Sequence, residues 1–285
     1  MMKIRLAEVY GFCAGVRRAV EIVEYALKEQ KKLFLIHELV HNEQVTSELA
    51  AKGVESVSDL DAVPEGATLI VSAHGAVPQI FAEAKRKNLN VIDATCPLVR
   101  KVQQSAEALT KQGFHVLLFG KKSHREVEGI VGYTAPGMCT VLENRVAVEN
   151  FVPEAGKKYA TLSQTTLNEQ EIAGMNLLLQ KKIPDLQISG NVCHATGERQ
   201  SAVRRLADEC DAILIIGSVN SSNTLRLLEV AKEKCPRTYL VSSPDDLPEL
   251  TGVSVLGVSA GASAPESLIR DVLQKISCQD PTTCG

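Results

Sequence analysis

Three cysteines stand in alike settings: Tyr10-Gly11-Phe12-Cys13-Ala14-Gly15, Asp93-Ala94-Thr95-Cys96-Pro97 and Gly190-Asn191-Val192-Cys193-His194-Ala195-Thr196. Each follows a strand-like stretch and opens a helix-like one, and the three divide the chain into near-equal parts. A cysteine at a helix N-terminus has its thiolate favoured by the helix dipole and by free N–H donors. Three such thiolates brought to one point would hold a metal centre and leave a coordination place without a protein ligand. Zinc sites favour close pairs such as Cys-x-x-Cys, which are absent here, and compact ferredoxin spacing is absent too. A four-iron cluster on three cysteines leaves one iron open, and an open iron is a Lewis acid toward a substrate oxygen. The bland reading is three core thiols, because free cysteine is commonly buried. Gly11 and Gly15, which allow close approach around Cys13, and Pro97, which starts a helix, favour ligands. Cys139, Cys210 and Cys235 sit in ordinary element contexts and read as structural; Cys278 and Cys284 read as exposed thiols in a loose tail.

A second set of chemical residues follows the strand-like runs. Val40-His41-Asn42, Ala73-His74-Gly75, Ser123-His124-Arg125-Glu126, Ser163-Gln164-Thr165-Thr166, Gly217 to Asn223 and Ser259 to Pro265 each come just after one. In open parallel sheets ligands bind beyond the carboxyl ends of the strands. Imidazolium, hydroxyl and amide groups beside helix N-termini suit a phosphate or diphosphate. The competing explanation is that Ser and Asn merely cap helices and build turns. His37 and His115 lie inside strands and read as structural, Glu128 as a helix-face residue and Asp93 as the turn residue fixing the Cys96 loop.

The elements that must position these groups alternate nearly throughout. Strands are expected at Lys3–Val9, Lys32–Glu38, Thr68–Ala73, Asn90–Ala94, His115–Phe119, Thr140–Leu142, Tyr159–Leu162, Ala212–Ile216, Thr238–Val241 and Val253–Val258. Helical periodicity fills the intervals, clearest at Val16–Gln30, Leu98–Lys111, Gly197–Glu209 and Pro265–Ile276. Strand and helix in regular order mean an α/β fold with mainly parallel sheets and right-handed crossovers. The repeated placement of the cysteines divides it into three similar α/β domains, 1–96, 97–193 and 194–277, with a tail at 278–285. Hydrophobic content of 45% with 23% charged residues is enough for a sizeable core. A net charge of −3 gives no reason to expect nucleic acid or a membrane surface, and 4% aromatics without Trp argue against base stacking. No apolar run is long enough to span a bilayer, and the first residues run into a strand pattern and not a signal peptide. The expected compartment is therefore the cytoplasm, where thiols stay reduced.

Taken together, Gly11-Phe12-Cys13-Ala14-Gly15-Val16, His41-Asn42, Ser72-Ala73-His74-Gly75, Asp93 to Val99, His124 to Gly129, Gln164-Thr165-Thr166-Leu167, Asn220-Ser221-Ser222-Asn223 and Ala260 to Pro265 resemble the motifs of the 4-hydroxy-3-methylbut-2-enyl diphosphate reductase family. The resemblance runs in order nearly end to end. It implies a pseudo-threefold trefoil of α/β domains around one [4Fe–4S] cluster held by Cys13, Cys96 and Cys193, with one open iron. It implies that His41, His74 and His124 with Ser221, Ser222, Asn223 and Ser263 bind the substrate diphosphate. Glu126 would match the acid that delivers protons, and Thr165 the hydroxyl beside the reacting end of the substrate. The implied reaction is the reductive dehydroxylation of an allylic alcohol diphosphate to isopentenyl and dimethylallyl diphosphate, the last step of the non-mevalonate isoprenoid pathway. A reduced ferredoxin or flavodoxin is the expected electron donor; no oligomeric state is read from the sequence.

Two departures stand out: His194 with Gly197-Glu198-Arg199 after the third cysteine, and Val219 where the family frequently has a basic residue. They bear on local electrostatics and on the donor's docking surface, not on the reaction. Two alternatives stand beside this reading. A dehydratase-type synthase resembling quinolinate synthase also uses three cysteines, but its carboxylate substrate calls for Arg or Lys in place of a His/Ser/Asn cradle. An iron–sulfur electron-transfer or sensor protein would have no open iron and no response to diphosphates.

Overall fold

A parallel strand pair needs a crossover of a dozen or more residues between its members, usually a helix, so the alternation in this chain fixes its architecture. The structure is a computed structural model and describes residues 2–30, 32–189 and 193–279. It contains three four-stranded sheets, parallel at every pairing.

In the first sheet the order is β3 (Val54–Val57), β2 (Leu33–Ile36), β4 (Thr68–Val71), β5 (Asn90–Asp93). In the second it is β7 (Cys139–Leu142), β6 (Phe114–Phe119), β8 (Lys158–Ser163), β9 (Gln187–Ile188). The third joins β1 (Lys3–Leu6) to β12 (Val255–Ala260), then β10 (Ala212–Ile216) and β11 (Thr238–Val241). Central strands such as β2, β4 and β10 are buried at every residue, as expected for parallel strands covered on both faces. On one side of the third sheet Leu214, Ile216 and Val258 pack with Leu268 and Val272; on the other Ile213 and Ile215 pack with Val203, Leu227 and Val230. Each such side chain contributes about 1.5–3 kcal/mol of burial.

Ten helices are described. They are α1 (Ala14–Glu29), α2 (Glu43–Ala51), α3 (Pro78–Arg86), α4 (Pro97–Lys111), α5 (Arg125–Gly132), α6 (Arg145–Asn150), α7 (Glu169–Lys182), α8 (His194–Glu209), α9 (Ser222–Lys232) and α10 (Glu266–Gln279). The expected strands are all present. The short elements β3, β9 and α6 go beyond the sequence reading, because none carries an apolar run long enough to show a period. The last helix continues through Cys278, which is an exposed residue of its final turn and not part of a loose tail. Cys284 lies outside the described residues, as do Gly190, Asn191 and Val192 of the third cysteine motif.

The described chain forms two compact units. One comprises residues 1–17, 40–49 and 194–285; the other comprises 18–39 and 50–193. The first thus holds the third sheet, and β1 joins that sheet instead of pairing with the strands that follow it in sequence. Among the described residues no helix is long and apolar enough to cross a membrane.

Candidate active site

Each of the three singled-out cysteines directly precedes a helix: Cys13 before α1, Cys96 before α4 and Cys193 before α8. The Cys13 turn is locked by its backbone. Gly11 takes a φ of +67°, with its N–H donating to Ala260 and that of Cys13 to Ala262, each at 3.2 Å. The Arg199 guanidinium donates to the Gly11 carbonyl at 2.8 Å, and the Val16 N–H points to Cys13 Sγ at 3.4 Å. A helix-terminal N–H aimed at sulfur in this way stabilises a thiolate.

Cys96 is the N-cap of α4, with Pro97 at the first helical position, and its N–H donates to the Ala73 carbonyl at 3.0 Å. Asp93 holds this loop: it accepts from the Thr95 N–H at 2.9 Å and forms an ion pair with Arg100. Cys193 donates its N–H to the Thr165 carbonyl at 3.0 Å. None of the seven described cysteines is in a disulfide. Among the described residues no three His, Cys, Asp or Glu side chains gather closely enough to hold a single metal ion. A four-iron cluster makes a different demand, since each thiolate would meet an iron of its own. Three cysteines at helix N-termini fit such a cluster. Cys139 opens β7 and does not precede a helix, and burial pushes its thiol up to about 12.

In the unit of residues 18–39 and 50–193, four predicted residues come together. Glu126 lies in the first turn of α5 and is 2% exposed. Its two carboxylate oxygens accept from the Thr165 N–H at 2.7 Å and the Thr165 hydroxyl at 3.0 Å. Burial raises its pKa and outweighs the opposing pull of both Thr165 hydrogen bonds, placing it at about 7. His124 is the N-cap of α5, and its Nδ1 accepts from the Glu126 N–H at 3.1 Å. The His74 and His124 rings meet edge-to-face at 5.7 Å. Gly75, at φ +77°, makes this loop possible: a Cβ there would stand 2.5 Å from Gln103 Nε2. His115 hydrogen-bonds Thr140 at 2.8 Å and Glu128 pairs with Arg125 at 2.9 Å, local contacts that occupy both side chains. His37 does not lie inside a strand as expected: β2 ends at Ile36 and His37 turns the chain at a φ of +63°, while burial and the Arg125 charge lower its pKa.

In the other unit, the loops after β10 and β12 lie side by side. Ser221 caps α9 by accepting from the Thr224 N–H at 3.3 Å, and its hydroxyl hydrogen remains available to an anion. Asn223 accepts from the Ala262 N–H at 2.9 Å through Oδ1, while its buried Nδ2 has no hydrogen-bond partner among the described residues. Ser222 opens the first turn of α9, where backbone donors are free. The Ser263 hydroxyl donates to the His41 carbonyl at 3.1 Å. An unpaired buried amide costs stability unless a ligand meets it, so this donor set fits an anionic group. The sequence reading missed Thr224, whose hydroxyl fills the space against Gly217 and Gly261, and Glu43, which accepts from Ser218 and Asn220. Nothing local marks either residue.

Parallel sheets with polar and ionisable side chains gathered just beyond the strand ends define the class of α/β proteins whose sites form at those ends. The LytB protein family model matches residues 4–277, and the chain belongs to that family. The 4-hydroxy-3-methylbut-2-enyl diphosphate reductase of Mycolicibacterium gilvum is 43% identical over 281 residues, covering 96% of this chain and 84% of the relative. That of Mycobacterium ulcerans is 42% identical over the same coverage. The structure of the E-1-hydroxy-2-methyl-but-2-enyl-4-diphosphate reductase from Plasmodium falciparum superposes with a TM-score of 0.94 at 34% identity, covering 99% of this chain and 90% of that one. A structure of (E)-4-hydroxy-3-methyl-but-2-enyl diphosphate reductase, described as the terminal enzyme of the non-mevalonate pathway, gives 0.69 at 36% identity, covering 97% and 99%. This membership decides against the quinolinate-synthase-like and non-enzymatic readings.

Proposed function

We infer that this chain is a 4-hydroxy-3-methylbut-2-enyl diphosphate reductase, an oxidoreductase acting last in non-mevalonate isoprenoid synthesis. The observation that carries the mechanism is the buried Glu126, poised near neutrality and held by Thr165. The net change takes up two electrons and two protons, breaks the allylic C–O bond and releases water. We propose Cys13, Cys96 and Cys193 as ligands of one [4Fe–4S] cluster, which supplies electrons and a Lewis-acidic iron when bound.

The protein's own groups do the rest. The α9 N-terminus with Ser221, Ser222 and Asn223, joined by Ser263, His41, His74 and His124, binds the diphosphate. Binding energy from that remote group orients the reacting end and lowers the barrier there. Glu126, protonated below about pH 7, delivers a proton through or beside the Thr165 hydroxyl. Protonation at either end of the allyl fragment gives isopentenyl or dimethylallyl diphosphate. The electron donor proposed is a reduced ferredoxin or flavodoxin, and the compartment the cytoplasm, on the strength of thiols that must stay reduced to bind iron.

The test is anaerobic reconstitution, with iron and sulfide counted and turnover followed with a reduced dye and the alcohol diphosphate. Four irons per chain with turnover support the reading. Turnover that survives Cys13→Ser, Cys96→Ser or Cys193→Ser would refute the ligand set.

A further inference from the structure

Residues 40–49 belong to the same compact unit as residues 1–17 and 194–285, although β2 and β3 on either side of them do not. Polar contacts fasten this strap to both loops of the anion cradle. On the β12–α10 side, Ser263 holds the His41 carbonyl, and Gln44 Nε2 donates to Ser267 Oγ at 3.0 Å. On the β10–α9 side the link is Glu43. Its Oε1 accepts from Ser218 Oγ at 3.0 Å and from Asn220 Nδ2 at 2.7 Å. The Ser218 hydroxyl in turn accepts from the Asn220 N–H at 2.9 Å, so the turn closes on itself before being tied to the carboxylate. Ser218 is 1% exposed. That turn runs directly into Ser221, Ser222 and Asn223.

A carboxylate this close to an anion site works against binding by simple Coulomb repulsion, so its presence calls for an offsetting role. Burial pulls its pKa up, but its own backbone N–H, Ser218, Asn220 and the charge of His41 together hold it below the ordinary value. It is therefore an anion at neutral pH. Both side-chain hydrogen bonds fall on one oxygen.

We propose that Glu43 is a positioning residue for diphosphate binding, fixing the Ser218–Asn220 turn, and with it the α9 N-terminus, against the His41 strap. The proposal rests on the cradle reading above. Its partners Ser218 and Asn220 lie far from it in sequence. A merely structural role, such as an acid favouring the first turn of α2, would change stability and leave substrate affinity alone.

The experiment compares Glu43→Ala, Glu43→Gln and Asn220→Ala in the reconstituted holoenzyme, measuring KM and kcat for the alcohol diphosphate and inhibition by inorganic diphosphate. Loss of the latch raises KM and the inhibition constant about 5–30-fold in Glu43→Ala, with kcat within about twofold. Glu43→Gln keeps an oxygen able to accept both bonds while dropping the charge, so its KM stays at or below the parent value. Asn220→Ala repeats the Glu43→Ala effect, and combining the two adds little further. An unchanged KM in both alanine variants, with Ser221→Ala and Asn223→Ala still raising it, overturns this inference alone. A Glu43→Gln enzyme as weak as Glu43→Ala overturns it too, by making charge and not hydrogen bonding the cause. If Ser221→Ala and Asn223→Ala also leave KM and inhibition unchanged, the cradle reading falls and takes this one with it.

Discussion

Replacing Glu126 with Gln tests the proton donor directly. The side chain is 2% exposed and its carboxyl moves from an ordinary 4.5 to about 7. At about 1.36 kcal/mol per pH unit, that rise corresponds to about 3 kcal/mol in favour of the neutral acid. The Glu126→Gln change is isosteric: the amide oxygen keeps the Thr165 N–H bond, and the Thr165 hydroxyl turns to accept from the new amide. What disappears is the transferable proton. Turnover should fall about 10²–10⁴-fold while KM changes less than about threefold. The parent enzyme should lose activity as pH rises through about 7, where Glu126 ionises, and this alkaline limb should vanish in the variant. Stability carries a matching signature. The folded pKa lies above the unfolded one, so the contribution is fully present below about pH 4.5 and lost as pH rises through about 7. Between about pH 5.5 and 8 the parent should lose about 2 kcal/mol of unfolding free energy that Glu126→Gln keeps, measured by urea denaturation. Parallel losses in kcat and 1/KM, or a limb near 7 that survives, would place the proton donor elsewhere.

Thr165→Val removes the hydroxyl donor to Glu126 but leaves the N–H bond, so the Glu126 pKa should rise further and the alkaline limb of kcat should move to higher pH. Cys139→Ser should retain full iron and sulfide content, because that thiol is buried and held protonated, whereas each of the three cysteines at helix N-termini changed to Ser should lose cluster absorbance. In Gly261→Ala the new Cβ would stand 2.0 Å from Thr224 Oγ1, which should cost about 2–4 kcal/mol in thermal or urea unfolding. A Thr224→Ala background should recover part of that loss, leaving the 3.1 Å approach to Cβ.

The alternation of strands and helices was readable because its signals are local: Gly113 ends one helix, Pro97 begins another, and β10 is a continuous apolar run. The cysteine positions were readable for the same reason. The family motifs likewise carried Glu126, Thr165 and the Ser221–Asn223 segment by type and order. By contrast, β9 is two exposed residues, and no periodicity can mark it.

The chain by itself therefore determined which groups exist and that each sits at a strand end before a helix, since propensity, turns and caps act over a few residues. Tertiary structure alone decided that β1 would pair with β12 and that residues 40–49 would side with residues 194–285. It alone tied Glu43 to Ser218 and Asn220 and brought Glu126 near neutrality. Burial and long-range hydrogen bonding are sums over neighbours that the fold, and not the sequence interval, brings within reach.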